Sequence, residues 1–236
     1  MNIPKNTHDP VAPEKLQQDV SDLLDALEQG GVGIVPLDVA YAVNAMTEDG
    51  IKRIFTAKNR SYEKPSGMFA NATMCREIHV MEDWKYDLVE AIIREEKIPF
   101  SVVAPFRREH AFFNKVEPFV LASSTLAGTL DMLLNAGQFH DEIARQAWER
   151  GRPVFGSSAN TSLKGSKYRY EDIEDEVKAA CQIGFDYGTS KYINDQGRSS
   201  TIIDFRDFSV IRVGVVFDKV TEAFKRHGNV ELKVTS

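Results

Sequence analysis

Residues 151–162 read GRPVFGSSANTS, and the chain is best read outward from them. Gly151, Arg152 and Pro153 close a helical pattern. Val154 and Phe155 follow as a short apolar strand. The chain then turns small and polar, with Gly156, Ser157, Ser158, Asn160 and Thr161. Small side chains let a ligand approach the backbone, and hydroxyls and an amide at a strand end lie where open α/β sheets bind ligands. The same residues also fit a Ser/Asn turn that satisfies only its own backbone. Two further stretches bear on the choice. One is a basic loop at residues 58–64; the other is a Ser-Thr strand followed by an arginine, at residues 199–212.

Length and composition set the frame. A chain of 236 residues is long enough for one large α/β domain with a real core. The net charge of −6 does not describe a nucleic-acid coat, although a local basic pocket needs only two or three cations. Cys75 and Cys181 lie far apart with no CxxC spacing, which reads as two free thiols in a reducing compartment. The N-terminal MNIPKNTHDPVAP has no apolar core of a signal peptide, and no run has the length of a membrane span. The expected location is therefore cytoplasmic, with no membrane partner.

The pattern along the chain alternates. Residues 1–13 hold three prolines and read as an N-terminal arm. Leu16, Val20, Leu23, Leu24 and Leu27 recur at helical spacing up to Gly30 and Gly31. Strands are expected at residues 32–35, 41–45, 68–70, 100–104, 119–122, 130–134, 201–205 and 210–213. Helices are expected at about 47–57, 83–94, 139–150, 170–180 and 217–226, with Thr73 capping a short one. This interleaving predicts α/β architecture: a single domain over residues 14–228, with a twisted mixed β-sheet and surrounding helices, then a tail at 229–236.

The candidate chemistry is dispersed. Lys58, Arg60 and Lys64 crowd one loop ahead of Pro65-Ser66-Gly67, as a phosphate or carboxylate ligand would require; a solvated basic loop looks the same. Ser199, Ser200 and Thr201 enter the strand Thr201-Ile202-Ile203, and Arg212 and Gly214 end the next one. A hairpin sets Ser200 and Arg212 roughly opposite each other. There Arg212 either reaches over a ligand or pairs with Asp204 or Asp207. Asp38 and Tyr41 follow the first strand, where they either meet a ligand or pack the strand end. The five histidines form no metal-ligand pattern. There is no Walker A loop, no GxGxxG and no GxSxG.

Together these pieces resemble the YrdC-like superfamily, whose best-known activity is threonylcarbamoyl-AMP synthase. The similarity runs from about Leu24 to Gly214. The family's Lys-x-Arg followed by Lys-Pro appears as Lys58-Asn59-Arg60 and Lys64-Pro65. Its Ser-x-Asn appears as Ser158-Ala159-Asn160, its Ser-Thr-Ile-x-Asp as Ser200-Thr201-Ile202-Ile203-Asp204, and its Arg-x-Gly as Arg212-Val213-Gly214. The family's Pro-Thr-Asp/Glu-Thr-x-Tyr-Gly is degraded here to Pro36-Leu37-Asp38-Val39-Ala40-Tyr41-Ala42. Where the family carries a Val-Arg-Val-Pro-like strand, residues 128–135 read GTLDMLLN and hold no arginine.

The resemblance implies an enzyme that forms a carbamate from an amino acid and bicarbonate and adenylates it from ATP, with Mg²⁺ arriving on the nucleotide. On that basis Lys58 and Arg60 are the expected catalytic groups. Lys58, Arg60, Ser158, Asn160, Ser200 and Arg212 would bind the nucleotide, and Asp38, Tyr41 and Ser158 the second substrate. Substituting Lys58 or Arg60 by alanine is then expected to abolish nucleotide binding while the fold survives. A missing arginine facing a carboxylate forfeits about 1.5–3 kcal/mol, enough to change substrate. The enzyme is thus either threonylcarbamoyl-AMP synthase with a drifted site or a paralogue that adenylates another carbamate or carboxylate. The family's association with RNA keeps a third reading open, a non-catalytic tRNA or double-stranded RNA-binding module, which the acidic net charge opposes.

Overall fold

The computed structural model describes residues 5–59, 61 and 64–234. Helix α1 (Pro13–Glu28) starts with its proline in the first turn and buries Val20, Leu23, Leu24 and Leu27 on one stripe. Strands β1 (Gly33–Val35) and β2 (Ala42–Ala45) follow. Helix α2 (Glu48–Ala57) begins at Thr47, whose hydroxyl accepts from the Gly50 amide at 3.2 Å. After β3 (Gly67–Phe69) comes α3 (Ala72–Ile78), capped by Asn71 rather than Thr73. Helix α4 (Asp83–Ala91) continues through a π-helical turn, Ile92–Glu96, that ends at Lys97 in the left-handed region.

Strand β4 (Phe100–Pro105) leads to α5 (Pro118–Ala122), then β5 (Thr125–Leu126) and β6 (Thr129–Leu134). The run at 119–122, expected extended, is thus helical. Pro118 occupies its first turn, and the Leu121 amide bonds the Glu117 carbonyl; a short apolar run does not by its period distinguish helix from strand. Helix α6 (Gln138–Arg150) stops at Gly151, which takes a φ of +63°. Strand β7 (Phe155–Ser158) carries the central motif. Only the last part of the expected helix at 170–180 forms, as α7 (Asp175–Ala179). The chain ends with β8 (Ile183–Gly184), β9 (Ile202–Asp204), β10 (Ser209–Arg212), α8 (Phe217–Gly228) and β11 (Lys233–Val234).

Among the described residues, eleven strands form one sheet in the order β11-β10-β9-β4-β6-β3-β7-β2-β1-β8, with β5 against β6. It is mixed: β4/β6 and β2/β7 are antiparallel, whereas β3/β6 and β4/β9 are parallel. The two-residue period of the strands sorts its faces. Val43, Met68, Phe100, Val102, Leu130, Met132, Phe155 and Ile203 lie in one core with residues of α2, α3, α4 and α8. Residues one position away, including Phe69 and Leu133, face the other side. There α1 and α6 supply Leu23, Leu24, Leu27, Phe139, Ile143 and Ala147 to a second core. That core covers only part of this face, and the uncovered part is a cavity.

Residues 5–9, expected as an arm, are docked against the domain. Thr7 is buried; its amide bonds the Thr189 carbonyl, and Gln138 donates to the carbonyls of Thr7 and Asp9.

Candidate functional site

The cavity, about 140 Å³, opens on the partly covered face and is lined from both halves of the sheet. Strand β7 gives Gly156, Ser157 and Ser158; β4 gives Ser101; β6 gives Asp131 and Leu133; and β10 gives Arg212, next to Ser199 and Ser200. Leu37, Val39 and Phe69 make its apolar side. Gly156 lies on its floor, where a Cβ would meet the Phe69 ring and the Val43 carbonyl at 2.6 Å.

Arg212 is fixed in place. Its Nε donates to the Ser200 carbonyl at 3.0 Å and an Nη to the Ser200 hydroxyl at 2.9 Å. The register pairs Arg212 with Ile202 across β9 and β10, so the expected opposition of Ser200 and Arg212 is a direct contact. Asp204, the rim partner considered from sequence, is held by Arg206 instead. Gly214 serves this geometry by backbone approach: a Cβ there would lie 2.2 Å from the Ser200 carbonyl carbon and the Thr201 amide nitrogen. The Gly214 amide donates to the Thr201 hydroxyl at 3.1 Å. Protein atoms crowd Arg212 enough that desolvation lowers its pKa, while the negative charge of Asp131 works the other way. By area the residue remains exposed, so it can meet a ligand from solvent.

Lys58 stands elsewhere. It is the residue after α2, almost fully buried, and its ammonium donates to the main-chain carbonyls of Ser158 and Asn160. Its own carbonyl accepts from the Ser162 amide at 2.8 Å. Lys58 thus grips the polar loop from beneath and lies outside the cavity lining. Asn160 is buried as well; its amide nitrogen donates to the Thr161 carbonyl, while Oδ1 has no partner among the described residues. Arg60 lies outside the described residues.

The two remaining expected substrate groups have their polar atoms engaged elsewhere. The Asp38 carboxylate accepts from the Thr7 hydroxyl at 2.7 Å, and burial raises its pKa. Tyr41 lines the cavity, yet its hydroxyl is committed to the Gly188 carbonyl at 2.8 Å and Asp186 at 3.1 Å. Of the expected site residues, Ser158, Ser200, Arg212 and Tyr41 share the cavity lining; Lys58, Asn160 and Asp38 build the walls behind it.

Asp131 and Ser101 line the cavity without having been singled out from sequence. The signal was present for Asp131. In TLDMLL, residues 129–134, Leu130, Met132 and Leu134 share one face, so Asp131 must project from the other. Burial pushes the Asp131 carboxyl up to about 6, against the Arg212 charge and the Ser101 hydroxyl. Among the described residues, no three His, Cys, Asp or Glu gather as a metal site.

A strand-built cavity on one face of a mixed sheet, edged by an arginine anchored on a Ser-Thr strand and lined by Gly156, Ser157 and Ser158, lies in a single α/β domain. Residues 25–214 match the Sua5/YciO/YrdC family, described as "Telomere recombination", and the chain belongs to that family. Solved structures share the fold. A hypothetical protein, smu.1377c from Streptococcus mutans UA159, superposes at a TM-score of 0.76 with 18% identity over all of both chains. Sua5 of P. abyssi complexed with L-threonine gives 0.71 and 18%, covering 99% of this chain and 63% of that one. E. coli YciO gives 0.63 and 16%, covering 89% of this chain and 92% of that one. No curated protein matches the chain significantly.

Proposed function

We propose that the chain is an ATP-dependent nucleotidyltransferase of this family, acting on a carbamate or carboxylate derived from an amino acid other than threonine. The carboxylate oxygen attacks the α-phosphorus of ATP, the bond to the β-phosphate bridging oxygen breaks, and pyrophosphate leaves. Such a reaction needs positioning and neutralisation of phosphate charge. The observation that carries the reading is the Arg212 guanidinium, oriented by Ser200 and placed beside Ser199, Ser157 and Ser158 at one cavity. This rim fits a phosphate group: one fixed fork donor, several hydroxyls, and a backbone kept low by Gly156. Mg²⁺ would enter with the nucleotide and supply charge neutralisation on the phosphates.

Lys58 supports the site indirectly, by holding the carbonyls of Ser158 and Asn160 so that the loop presents its serines. The choice against threonine rests on the apolar part of the lining: Leu37, Val39 and Leu133 offer no hydrogen bond to a side-chain hydroxyl.

The test is pyrophosphate release from ATP, Mg²⁺ and bicarbonate with each amino acid in turn. Release with an amino acid other than threonine, lost in Arg212→Met, is the expected result. Release with threonine alone would make the chain a threonylcarbamoyl-AMP synthase. Salt-sensitive tRNA binding with no turnover on any amino acid would overturn the enzymatic reading.

A further inference from the structure

The cavity is lined by two groups of opposite charge, Arg212 and Asp131. Arg212 stands at the β10 side, engaged by Ser200. Asp131 stands further along the same face, over Gly67, where a Cβ would come within 3.3 Å of its Oδ2. The other carboxylate oxygen, Oδ1, is buried and has no hydrogen-bond partner among the described residues, although the Ser101 hydroxyl lies close enough to act on the carboxyl. Its cavity neighbours are the Ser101 hydroxyl, itself 3.5 Å from that of Ser200, and the apolar Leu133. Arg212 is close enough to act on Asp131 electrostatically, yet no ion pair joins them among the described residues. An unsatisfied carboxylate on a residue that lines a cavity marks where a ligand donor belongs.

We propose that Asp131 sets the substrate specificity of this site by accepting a hydrogen bond from a cationic nitrogen of the ligand, whose anionic group lies toward Arg212. The class of substrate is a small zwitterion. A neutral donor would fill one lone pair and leave the charge uncompensated; an ammonium group answers both. The same carboxylate repels phosphate, so the nucleotide is confined to the rim beside Ser199, Ser200 and Arg212. This inference rests on the reading of the cavity as the substrate site.

Calorimetry on the full chain at pH 7.5 tests it with three probes: L-ornithine, L-norvaline and N-acetyl-L-norvaline. Ornithine differs from norvaline by a side-chain amine, and norvaline from its acetyl derivative by a charged α-amine, so the two pairs locate the nitrogen that Asp131 meets. In the wild type, one amine-bearing member should bind at least threefold, and near tenfold, tighter than its amine-less partner. Asp131→Asn should bring that ratio below threefold and leave the amine-less partner's affinity within threefold. A wild-type ratio below threefold in both pairs, a ratio that survives Asp131→Asn, or no binding of any probe at millimolar concentration would overturn the proposal. Thermal melting verifies that the variant is folded. Loss of the proposal and loss of the reading beneath it are separable. ATP binding that falls in Arg212→Met while the probes fail removes only the assignment of Asp131; ATP binding unchanged in Arg212→Met removes the nucleotide site itself.

Discussion

Lys58 and Arg212 look alike in sequence, each a cation beside small polar residues, and they do different work. Lys58 is a buried charge satisfied by carbonyls, so removing it strands those acceptors. Lys58→Met should cost about 2–4 kcal/mol, read as a lower midpoint in urea unfolding at unchanged slope. Arg212→Met should cost no more than about 1 kcal/mol and instead weaken ATP binding tenfold or more, read by calorimetry. A lysine at a helix C-terminus ordinarily points to water, which is why sequence gave no sign of its burial. Arg212 was legible because its hairpin spacing set it against Ser200. Asp131 carries the opposite liability. Its folded pKa of about 6 lies above the ordinary 3.8, so the folded state holds the extra proton, and stability falls as pH rises from about 4 through 6. Asp131→Asn should flatten that fall and raise stability above pH 6 by about 2 kcal/mol, measured by unfolding at pH 4 and pH 7.5.

At the level of elements, the crossing of the segment before β9 with the one after β10 builds the rim. The Val215 amide bonds the Ser199 carbonyl, the Thr201 hydroxyl bonds the Val215 carbonyl, and Gly214 lies flat between them. Gly214→Ala places a Cβ within 2.2 Å of backbone, which cannot yield as a side-chain tip does. The expected cost is 3 kcal/mol or about that, with loss of ATP binding as Ser200 shifts and releases Arg212. Differential scanning calorimetry and a nucleotide titration check the two halves. Most elements were readable because caps and period agree: Thr47 heads α2, Gly151 closes α6, and the alternation in β6 is regular. The exceptions are short. Four apolar residues at 119–122 carry no period, so Pro118 and the tertiary setting decide for helix. The acidic stretch at 170–180 reads as a helix by composition, but only Asp175–Ala179 takes that form, with Ile173 packed ahead of it.

Across the whole molecule, Asp38 fastens remote parts of the chain behind the cavity. Its amide donates to the Ala136 carbonyl at 2.7 Å, its carbonyl accepts from the Tyr192 amide at 2.9 Å, and its carboxylate accepts from the Thr7 hydroxyl at 2.7 Å. The segment before α1, the turn after β1, the entry to α6 and the stretch after β8 therefore meet at one residue. The family resemblance placed Asp38 beside a ligand; long-range partners, invisible to any local pattern, engage its carboxylate elsewhere. Leu37 and Val39, its neighbours, line the cavity, so a disturbance at this knot reaches the site through two peptide bonds. Thr7→Val keeps the shape of the side chain and removes the hydroxyl that serves both Asp38 and the Lys191 amide. It should cost about 1–3 kcal/mol, because a buried carboxylate loses its donor, and should push the Asp38 pKa further up, since that bond opposes burial more than the Lys191 and His8 charges do. The predicted signature is a lower melting temperature at pH 7.5 that partly recovers at pH 5, where the unsatisfied carboxylate takes a proton. An equal loss at both pH values would mean that packing of Thr7, and not its bond to Asp38, holds this segment in place.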